Sequence, residues 1–240
     1  MGRDFFRVFP KKSVIGMIHL AGNRNEERVK RALEEIAIFE EEGIHGIIVE
    51  DYHGERIDVV NVLNAMRYRN SRLKIGVNIL SNPYGSFGFN KSHDVSFVQF
   101  DSVQSTGINI SVYDQLRKLH PEVVVLGGIR FKYVKPTGKT LEEDIAEGMS
   151  RCDAIVTTGE GTGLETPTEK LRQFRRAMGK FPLVVGAGVN DKNVAEQLNI
   201  ADAAIVGSYF KKGDTLNKVC RENVRKLMYS IRMKQQSLLT

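Results

Sequence analysis

The stretch PLVVGAGVNDKN, residues 182–193, is followed by DAAIVGSYFKKGD, residues 202–214, and each contains a short apolar run that ends in glycine. A short continuous apolar run bounded by glycine is typical of a strand that is buried on both faces. Glycine is unfavourable within a strand because it has no side chain to pack. Two strands that end in this way predict either tight turns or a close approach of a ligand to the backbone at Gly188 and Gly207.

Outside this stretch, apolar runs rich in Val and Ile alternate with segments of helical periodicity. In NEERVKRALEEIAIFEEEG, residues 25–43, Asn25 is a candidate N-cap and Gly43 a candidate helix end. Further helices are predicted near residues 59–68, 112–120, 141–151, 168–178 and 218–233, and a helix start near Asp191. Eight strands are predicted, at SVIGMIHL (13–20), HGIIVE (45–50), KIGVNIL (74–80), VSFVQFDS (95–102), EVVVLGGI (122–129), DAIVTTG (153–159), PLVVGAG (182–188) and AAIVGSYF (203–210).

The unit after the third strand is irregular. Its sequence, SNPYGSFGFNKSHD at residues 81–94, contains a proline and two glycines, which disfavour a full helix. We expect a short helix near Ser86–Lys91 or a shaped loop. The aromatic residues Tyr84, Phe87 and Phe89 are expected to cover the core, with a binding lid as the alternative.

Helical crossovers between strands that are buried on both faces predict a parallel sheet. Eight such units in 240 residues predict a single-domain (β/α)8 TIM barrel over residues 1–240. An open doubly wound sheet is the alternative, but the first strand ends in MIHLAGNRNE, which lacks the glycine fingerprint of a dinucleotide site. No linker or shift in composition divides the chain.

The composition, 41% apolar and 27% charged, is that of a globular protein. The net charge of +6 comes from scattered Lys and Arg without a nucleic-acid motif, so no nucleic acid partner is expected. No apolar run suggests a membrane span, and MGRDFFRVFPKK has no signal-peptide core, so a cytoplasmic location is expected. Cys152 and Cys220 give no framework or metal spacing, and no cofactor or metal is assigned. Barrels of this size often dimerise, so a homodimer is a possible assembly.

In TIM barrels the active site lies at the carboxyl ends of the strands, and phosphate is frequently bound after strands seven and eight. Glycine there lets an anion reach backbone N–H groups that a side chain would obstruct. We expect Lys211 to add positive charge. The predicted phosphate-binding residues are Gly186, Ala187, Gly188, Gly207 and Ser208.

Other strand ends carry ionisable groups, which acid–base chemistry on a small anion requires. The candidate catalytic residues are His19, Glu50, Asp101 and Lys132, and the candidate pocket residues are Asp51, Asn78, Thr158 and Gly159. Each residue taken singly is equally consistent with a helix cap, an ion pair or a buried hydrogen-bonded side chain. Glu50 and Asp101 could hold a divalent ion, but no spacing here is diagnostic of a metal.

The motifs VIGMIHL, GIIVED, KIGVNIL, AIVTTGEGTGLETP, LVVGAGVNDKN and AAIVGSYFKKGD together resemble the BtpA family, which includes the SgcQ-like proteins. The resemblance covers roughly residues 13–215. It implies a TIM barrel of the ribulose-phosphate-binding type and a phosphate site more firmly than it implies a reaction. One branch of that family is linked to photosystem I accumulation, and another is found with sugar-transport genes.

The resemblance carries over to individual residues only in part. Asp51 stands where the family has Asn, Gly128 where it has Asp, and Tyr133 where it has His. The proline-rich loop of the family after the first strand is replaced by AGNRNE, and its Asn-Asp after strand three by Asn82-Pro83. The residues that match the family are His19, Glu50, Asn78, Lys132, Thr158 and Gly159.

These observations predict an enzyme that acts on a small phosphorylated sugar or ribosyl-phosphate compound as an isomerase or lyase. Glu50 or Asp101 would move a proton, and His19 would be the other partner. Lys132 would stabilise an oxyanion or enediolate, or form a Schiff base. The alternative is a non-catalytic assembly or regulatory protein on a degenerate phosphate-binding barrel, which the departures from the family pattern suggest.

Overall fold

Eight parallel strands close into a barrel in chain order in the computed structural model, which describes residues 4–236. Each strand pairs with the next, and the eighth pairs with the first. The predicted TIM barrel is therefore confirmed. The strands are β1 (Ser13–Ile18), β2 (Gly46–Glu50), β3 (Lys74–Asn78), β4 (Phe97–Phe100), β5 (Val124–Gly128), β6 (Ala154–Thr158), β7 (Leu183–Gly186) and β8 (Ala203–Val206).

The helices of the described residues lie between the strands and at both ends of the chain. Those predicted at residues 141–151 and 168–178 are confirmed at both boundaries. Thr140 begins the first of these with a capping box, in which its hydroxyl accepts from Glu143 N and the Glu143 carboxylate accepts from Thr140 N. The helices are α1 (Phe5–Val8), α2 (Asn25–Glu41), α3 (Arg56–Met66), α4 (Phe89–His93), α5 (Ile110–Leu119), α6 (Leu141–Arg151), α7 (Thr168–Met178), α8 (Val194–Gln197) and α9 (Arg221–Gln236).

Side chains alternate between the two faces of each strand, as the period of two requires. One set forms an apolar cluster inside the barrel, and the other packs against the helices. On β1 the inner set includes Met17, and two residues later comes His19; on β2 it includes Ile48, and two residues later comes Glu50. The same period therefore places both polar residues on the inner side, at the carboxyl ends of their strands.

The amino-terminal end of the barrel is closed by α1 and the residue that follows it, which sequence analysis did not predict. Phe5 and Phe9 are buried in the inner apolar cluster, and the ring centroids of Phe9 and Phe97 are 5.0 Å apart. Gly46, the first residue of β2, leaves room for this ring, because an added Cβ would lie 2.8 Å from Cε1 of Phe9. Aromatic rings thus fill the end of the barrel opposite to the polar strand ends.

The irregular third unit is a 3-10 helix, Pro83–Gly88, followed directly by α4. The prediction of a short helix is confirmed. Phe87 and Phe89 are buried in the apolar layer outside the barrel, and Tyr84 is partly buried against it. The three aromatic residues therefore cover the core, as predicted, and do not form a lid.

Three local predictions were wrong. Asn25 is the first residue of α2, and the N-cap is Arg24. The Asn25 side-chain amide donates to the Asp58 carboxylate, which is buried and therefore requires hydrogen-bond donors. The helix expected near Asp191 begins only at Val194 and is four residues long. Cys220 precedes α9, although it was expected within the last helix.

Predicted strands extended two to four residues beyond the observed ends in most cases, because the apolar run continues into the loop. Residues such as Asp101 and Gly207 consequently lie in the loops that follow β4 and β8. Within residues 4–236, we find no helix with the length and apolar character that crossing a membrane requires.

Candidate active site

A cavity of ≈ 200 Å³ opens at the carboxyl ends of the strands. Its lining is drawn from the inner faces of the strands and from the loops that follow them. Ten of the thirteen residues predicted for the site line it: His19, Glu50, Asp101, Lys132, Thr158, Gly186, Ala187, Gly188, Gly207 and Ser208. The sequence predictions therefore converge on one cavity.

Two carboxyl groups are joined by one amide at the β2–β4 side of the cavity. Asn78 Nδ2 donates to Glu50 Oε1 over 2.7 Å and to Asp101 Oδ1 over 3.0 Å. Gln99 Nε2 donates to the same Asp101 oxygen over 3.1 Å. Asn78 and Gln99 therefore fix the orientation of both carboxyl groups relative to each other.

Burial raises the pKa of Glu50 to about 8, and the nearby Asp101 carboxylate contributes to the increase. Asn78 and Lys132 oppose it, because they interact favourably with the ionised form. Glu50 is consequently protonated at neutral pH for most of the time. A carboxyl group in this state can donate a proton to a ligand, which an ordinary glutamate at neutral pH does not do.

The imidazole of His19 lies beside this carboxyl group, with Nε2 at 3.9 Å from Glu50 Oε2. Burial lowers the pKa of His19 well below its usual value, and the positive charge of Lys211 lowers it further. The ring is therefore neutral at physiological pH. Its Nδ1 atom is buried and has no hydrogen-bond partner among the described residues. A neutral imidazole in this position can accept a proton.

Lys132 follows β5, the strand next to β4, and lines the same cavity. Its backbone N–H donates to Thr158 Oγ1 over 2.7 Å, and its Nζ donates to Thr162 Oγ1 over 2.9 Å. Thr162 in turn donates its backbone N–H to the hydroxyl of Tyr133 over 3.0 Å. These contacts fix the ammonium group of Lys132 at the boundary between the β5 and β6 loops.

The glycine-rich side of the cavity offers backbone donors. Within residues 4–236, the N–H groups of Gly188, Gly207 and Ser208 donate no hydrogen bond to the protein. Ala187 and Gly188 have left-handed backbone angles, with φ of 62° and 64°. Gly163, in the loop after β6, completes this side of the lining. Unpaired N–H groups on a concave surface are typical of anion sites.

The glycines also have packing reasons that sequence analysis did not separate from ligand binding. A Cβ added to Gly188 would lie 2.3 Å from the backbone of Glu165, so the β6 loop requires glycine there. A Cβ added to Gly207 would lie 2.9 Å from Cε1 of His19. Both readings of these glycines, tight chain packing and backbone exposure to the cavity, therefore agree with the geometry.

Three of the predicted pocket residues do not line the cavity. Asn78 donates hydrogen bonds to the carboxyl groups of Glu50 and Asp101, which do line the cavity. Asp51 instead binds the loop after β3, where its Oδ1 accepts from Leu80 N over 2.6 Å. Gly159 packs against the loop that follows it, since an added Cβ would lie 2.5 Å from the carbonyl oxygen of Glu165.

Lys211, expected to add charge to the phosphate site, points away from it. Its side chain is 1% exposed, and Nζ donates to Met17 O over 3.2 Å and to Glu35 Oε2 over 3.1 Å. Glu35 also accepts from Arg31 Nε over 3.0 Å. The expectation was wrong: Lys211 joins the 3-10 turn after β8 (Ser208–Lys211) to α2 and to the end of β1.

Replacing Lys211 with Met is expected to lower the free energy of unfolding by about 2 kcal/mol, because a hydrogen-bonded buried ammonium group is lost and Arg31 remains as a partner of Glu35. Denaturant unfolding at neutral pH measures the change. Lys212→Met is the matched control, since Lys212 is exposed and should change stability by less than about 0.5 kcal/mol. Equal effects of the two substitutions would show that the buried contacts add nothing.

Sequence analysis missed part of the lining, and the period of two could have found some of it. Gln99 lies on β4, two residues before Asp101, and Tyr52 is two residues after Glu50. Met17, Val156 and Ile205 lie in the inner apolar cluster on β1, β6 and β8, where the same period applies. The other missed residues lie in loops, where it does not. The missed lining residues are Met17, Tyr52, Leu80, Gln99, Phe131, Tyr133, Val156, Thr162, Gly163, Val189 and Ile205.

Among the described residues, no group of three or more His, Cys, Asp or Glu could hold a metal ion.

The chain belongs to the BtpA family, whose model matches residues 10–233. An uncharacterized protein of Archaeoglobus fulgidus is 25% identical over 246 residues, which are 91% of this chain and 98% of the relative. A Synechocystis protein named photosystem I biogenesis protein BtpA is 24% identical over 250 residues, with 90% of this chain and 86% of the relative covered.

Solved structures with the same architecture include two enzymes. Phosphoribosyl anthranilate isomerase from Thermus thermophilus superposes with a TM-score of 0.63 at 12% identity, covering 92% of this chain and 98% of the enzyme. Thiamine phosphate pyrophosphorylase from Pyrococcus furiosus gives 0.62 at 15% identity, covering 93% and 96%. At these identities the likeness establishes the TIM-barrel fold of the chain and nothing about its activity.

Proposed function

We propose that this protein is an enzyme that acts on a small phosphorylated sugar or ribosyl-phosphate compound, with acid–base chemistry of the isomerase or lyase type. The observation that carries the proposal is the content of one cavity. A carboxyl group that is protonated at neutral pH, Glu50, shares it with unpaired backbone N–H groups at Gly188, Gly207 and Ser208. A proton donor and a set of anion-binding N–H groups in one cavity suit a small substrate that carries both a reacting carbonyl group and a phosphate.

In the proposed reaction, the phosphate accepts hydrogen bonds from the free N–H groups after β7 and β8. Glu50 donates its proton to the carbonyl oxygen of the substrate as charge develops there. The Lys132 ammonium stabilises the same developing charge. Asp101 or the neutral His19 accepts the proton that leaves the adjacent carbon, which gives an enediol. For an isomerisation, that base then returns its proton to the neighbouring carbon while Glu50 takes back a proton from the enediol hydroxyl, so both groups end the turnover as they began it.

The relatives of the fold support this choice without establishing it. The names of both similar enzymes include a phosphorylated compound. Barrels of this architecture frequently bind phosphate after strands seven and eight. The free N–H groups of this chain lie in the same place.

A thermal-shift screen with matched pairs of sugars and sugar phosphates, such as ribose and ribose 5-phosphate, tests the proposal. We expect at least one phosphate ester to stabilise the protein while its unphosphorylated partner does not. At about one hundred times the dissociation constant, the gain in the free energy of unfolding is roughly 2.7 kcal/mol. A screen in which phosphate esters and free sugars behave alike would contradict the proposed function.

A second candidate function, assembly or regulation without catalysis, is favoured by one observation. The Synechocystis relative is named for photosystem I biogenesis rather than for a reaction. Under this alternative the Glu50 carboxyl has no proton to transfer, and replacing Glu50 and Lys132 together would leave the cellular role intact. The buried and protonated carboxyl group favours the enzyme, since an unused group of this kind only destabilises the fold at higher pH.

A further inference from the structure

Three large side chains at the mouth of the cavity expose apolar surface. Tyr52 is 39% exposed, Leu80 41% and Tyr133 76%, and all three line the cavity that also contains Glu50 and Lys132. Single exposed apolar residues need no explanation, but three around one opening are typical of a ligand-binding surface. The proton-transfer roles proposed for the site do not use any of them.

Tyr52 is fixed by aromatic contacts. Its ring lies edge-to-face with His19, at 5.3 Å between centroids, and with His53, at 4.8 Å. His53 is itself anchored, because its Nε2 is 2.9 Å from Thr215 Oγ1. The ring of Tyr52 therefore has one orientation beside the His19–Glu50 pair, and its remaining surface faces the opening.

Leu80 and Tyr133 are also held in place. The backbone N–H of Leu80 donates to Asp51 Oδ1 over 2.6 Å, and this contact fixes the loop that presents the side chain. The hydroxyl of Tyr133 accepts from Thr162 N over 3.0 Å. Tyr133 has a left-handed backbone with φ of 63°, which is unfavourable for a residue other than glycine, and such strain is concentrated at functional sites.

We propose that Tyr52, Leu80 and Tyr133 bind an aromatic or heteroaromatic ring of the substrate, which is therefore a phosphate ester with a ring at the end remote from the phosphate. This inference rests on the proposed function, because it takes the phosphate to be bound at Gly207 and Ser208. Two of the three side chains are tyrosines, whose π-faces favour stacked or edge-to-face rings. The cavity volume of ≈ 200 Å³ suits a small molecule rather than a protein segment.

The test compares phosphate esters that differ only in a ring: butyl phosphate with 4-phenylbutyl phosphate, and ethyl phosphate with 2-phenylethyl phosphate. In the wild-type protein we expect the phenyl compound of at least one pair to bind about tenfold more tightly, as calorimetry or thermal shift would measure. Tyr52→Ala and Leu80→Ser should each bring the ratio of the phenyl-ester affinity to the alkyl-ester affinity close to one. Tyr68→Ala is the matched control, since Tyr68 is 88% exposed and does not line the cavity.

The outcomes separate this inference from the function on which it rests. Equal affinities of the alkyl and phenyl esters in both pairs would overturn the aromatic site and leave the phosphate site standing. A preference for the phenyl ester that survives both substitutions would also overturn it, because the ring would then bind elsewhere. Failure of all four esters and of every sugar phosphate to bind would overturn both proposals together.

Discussion

Glu50→Gln is expected to lose less stability than the wild type as the pH rises from 5 to 8. The difference in the free energy of unfolding, variant minus wild type, should increase by about 3 kcal/mol over this range. The folded protein binds the Glu50 proton up to about pH 8, whereas an unfolded glutamate releases it near 4.5. Between these values the unfolded state binds fewer protons, so the contribution of Glu50 to stability is present below pH 4.5 and is lost as the pH rises through 8. Gln resembles the protonated carboxyl group in shape and does not titrate.

Urea unfolding of both proteins at intervals from pH 5 to 8 measures this difference, and the comparison cancels groups that titrate equally in the two proteins. Asp101→Asn is the informative second variant. The Asp101 charge contributes to the raised pKa of Glu50. Its removal should therefore lower the pH at which the contribution of Glu50 to stability is lost. Parallel stability curves of the wild type and Glu50→Gln would mean that Glu50 is ionised in the folded protein, and the acid role proposed for it would then fail.

The barrel could be predicted from sequence because its signals are local and repeated. Each strand is a short apolar run, each crossover has helical spacing, and eight repetitions leave few alternatives. The role of α1 could not be predicted, because FFRV is too short to show a period and its packing depends on Phe97, which is distant in the chain. Strand ends were extended for a similar reason: Ile79 and Leu80 continue the apolar run of β3 without continuing its pairing.

The site was predictable where the strand period applies and not elsewhere. Glu50 lies on the inner face of β2, and its neighbour Asp51 follows on the other side, as adjacent strand residues do. That alternation would have excluded Asp51 from the cavity. No period could have placed Lys211, because its partner Glu35 is 176 residues away in the chain and Lys211 itself lies in the 3-10 turn after β8. Of the rim residues Tyr52, Leu80 and Tyr133, the period of β2 could have placed Tyr52, whereas Leu80 and Tyr133 lie in loops in which no period sets the direction of a side chain.

Gly207→Asp is expected to abolish the stabilisation that a sugar phosphate gives, while the protein without ligand remains folded. Gly207 lines the cavity, and its N–H is among the free donors on the side where the phosphate is proposed to bind. A carboxylate fixed about 4 Å from the phosphate, at an effective dielectric of roughly 20, costs about 4 kcal/mol for each unit charge, which is near a thousandfold in affinity. A ligand present at one hundred times its dissociation constant would then give almost no thermal shift.

Gly207→Asn is the matched control, because it introduces a side chain of the same shape without the charge. Any Cβ at this position approaches Cε1 of His19 to 2.9 Å, so both variants carry the same steric cost and should lose similar stability without ligand. The thermal shift is measured for both variants with inorganic phosphate and with the sugar phosphate that stabilises the wild type most. The difference in thermal shift between Gly207→Asp and Gly207→Asn is the effect of the charge. If both variants unfold, Ser208→Asp and Ser208→Asn repeat the comparison on a residue that already has a side chain in the cavity. Asp and Asn variants that bind the phosphate ester equally well would place the anion elsewhere and leave the glycines after β7 and β8 with a packing role.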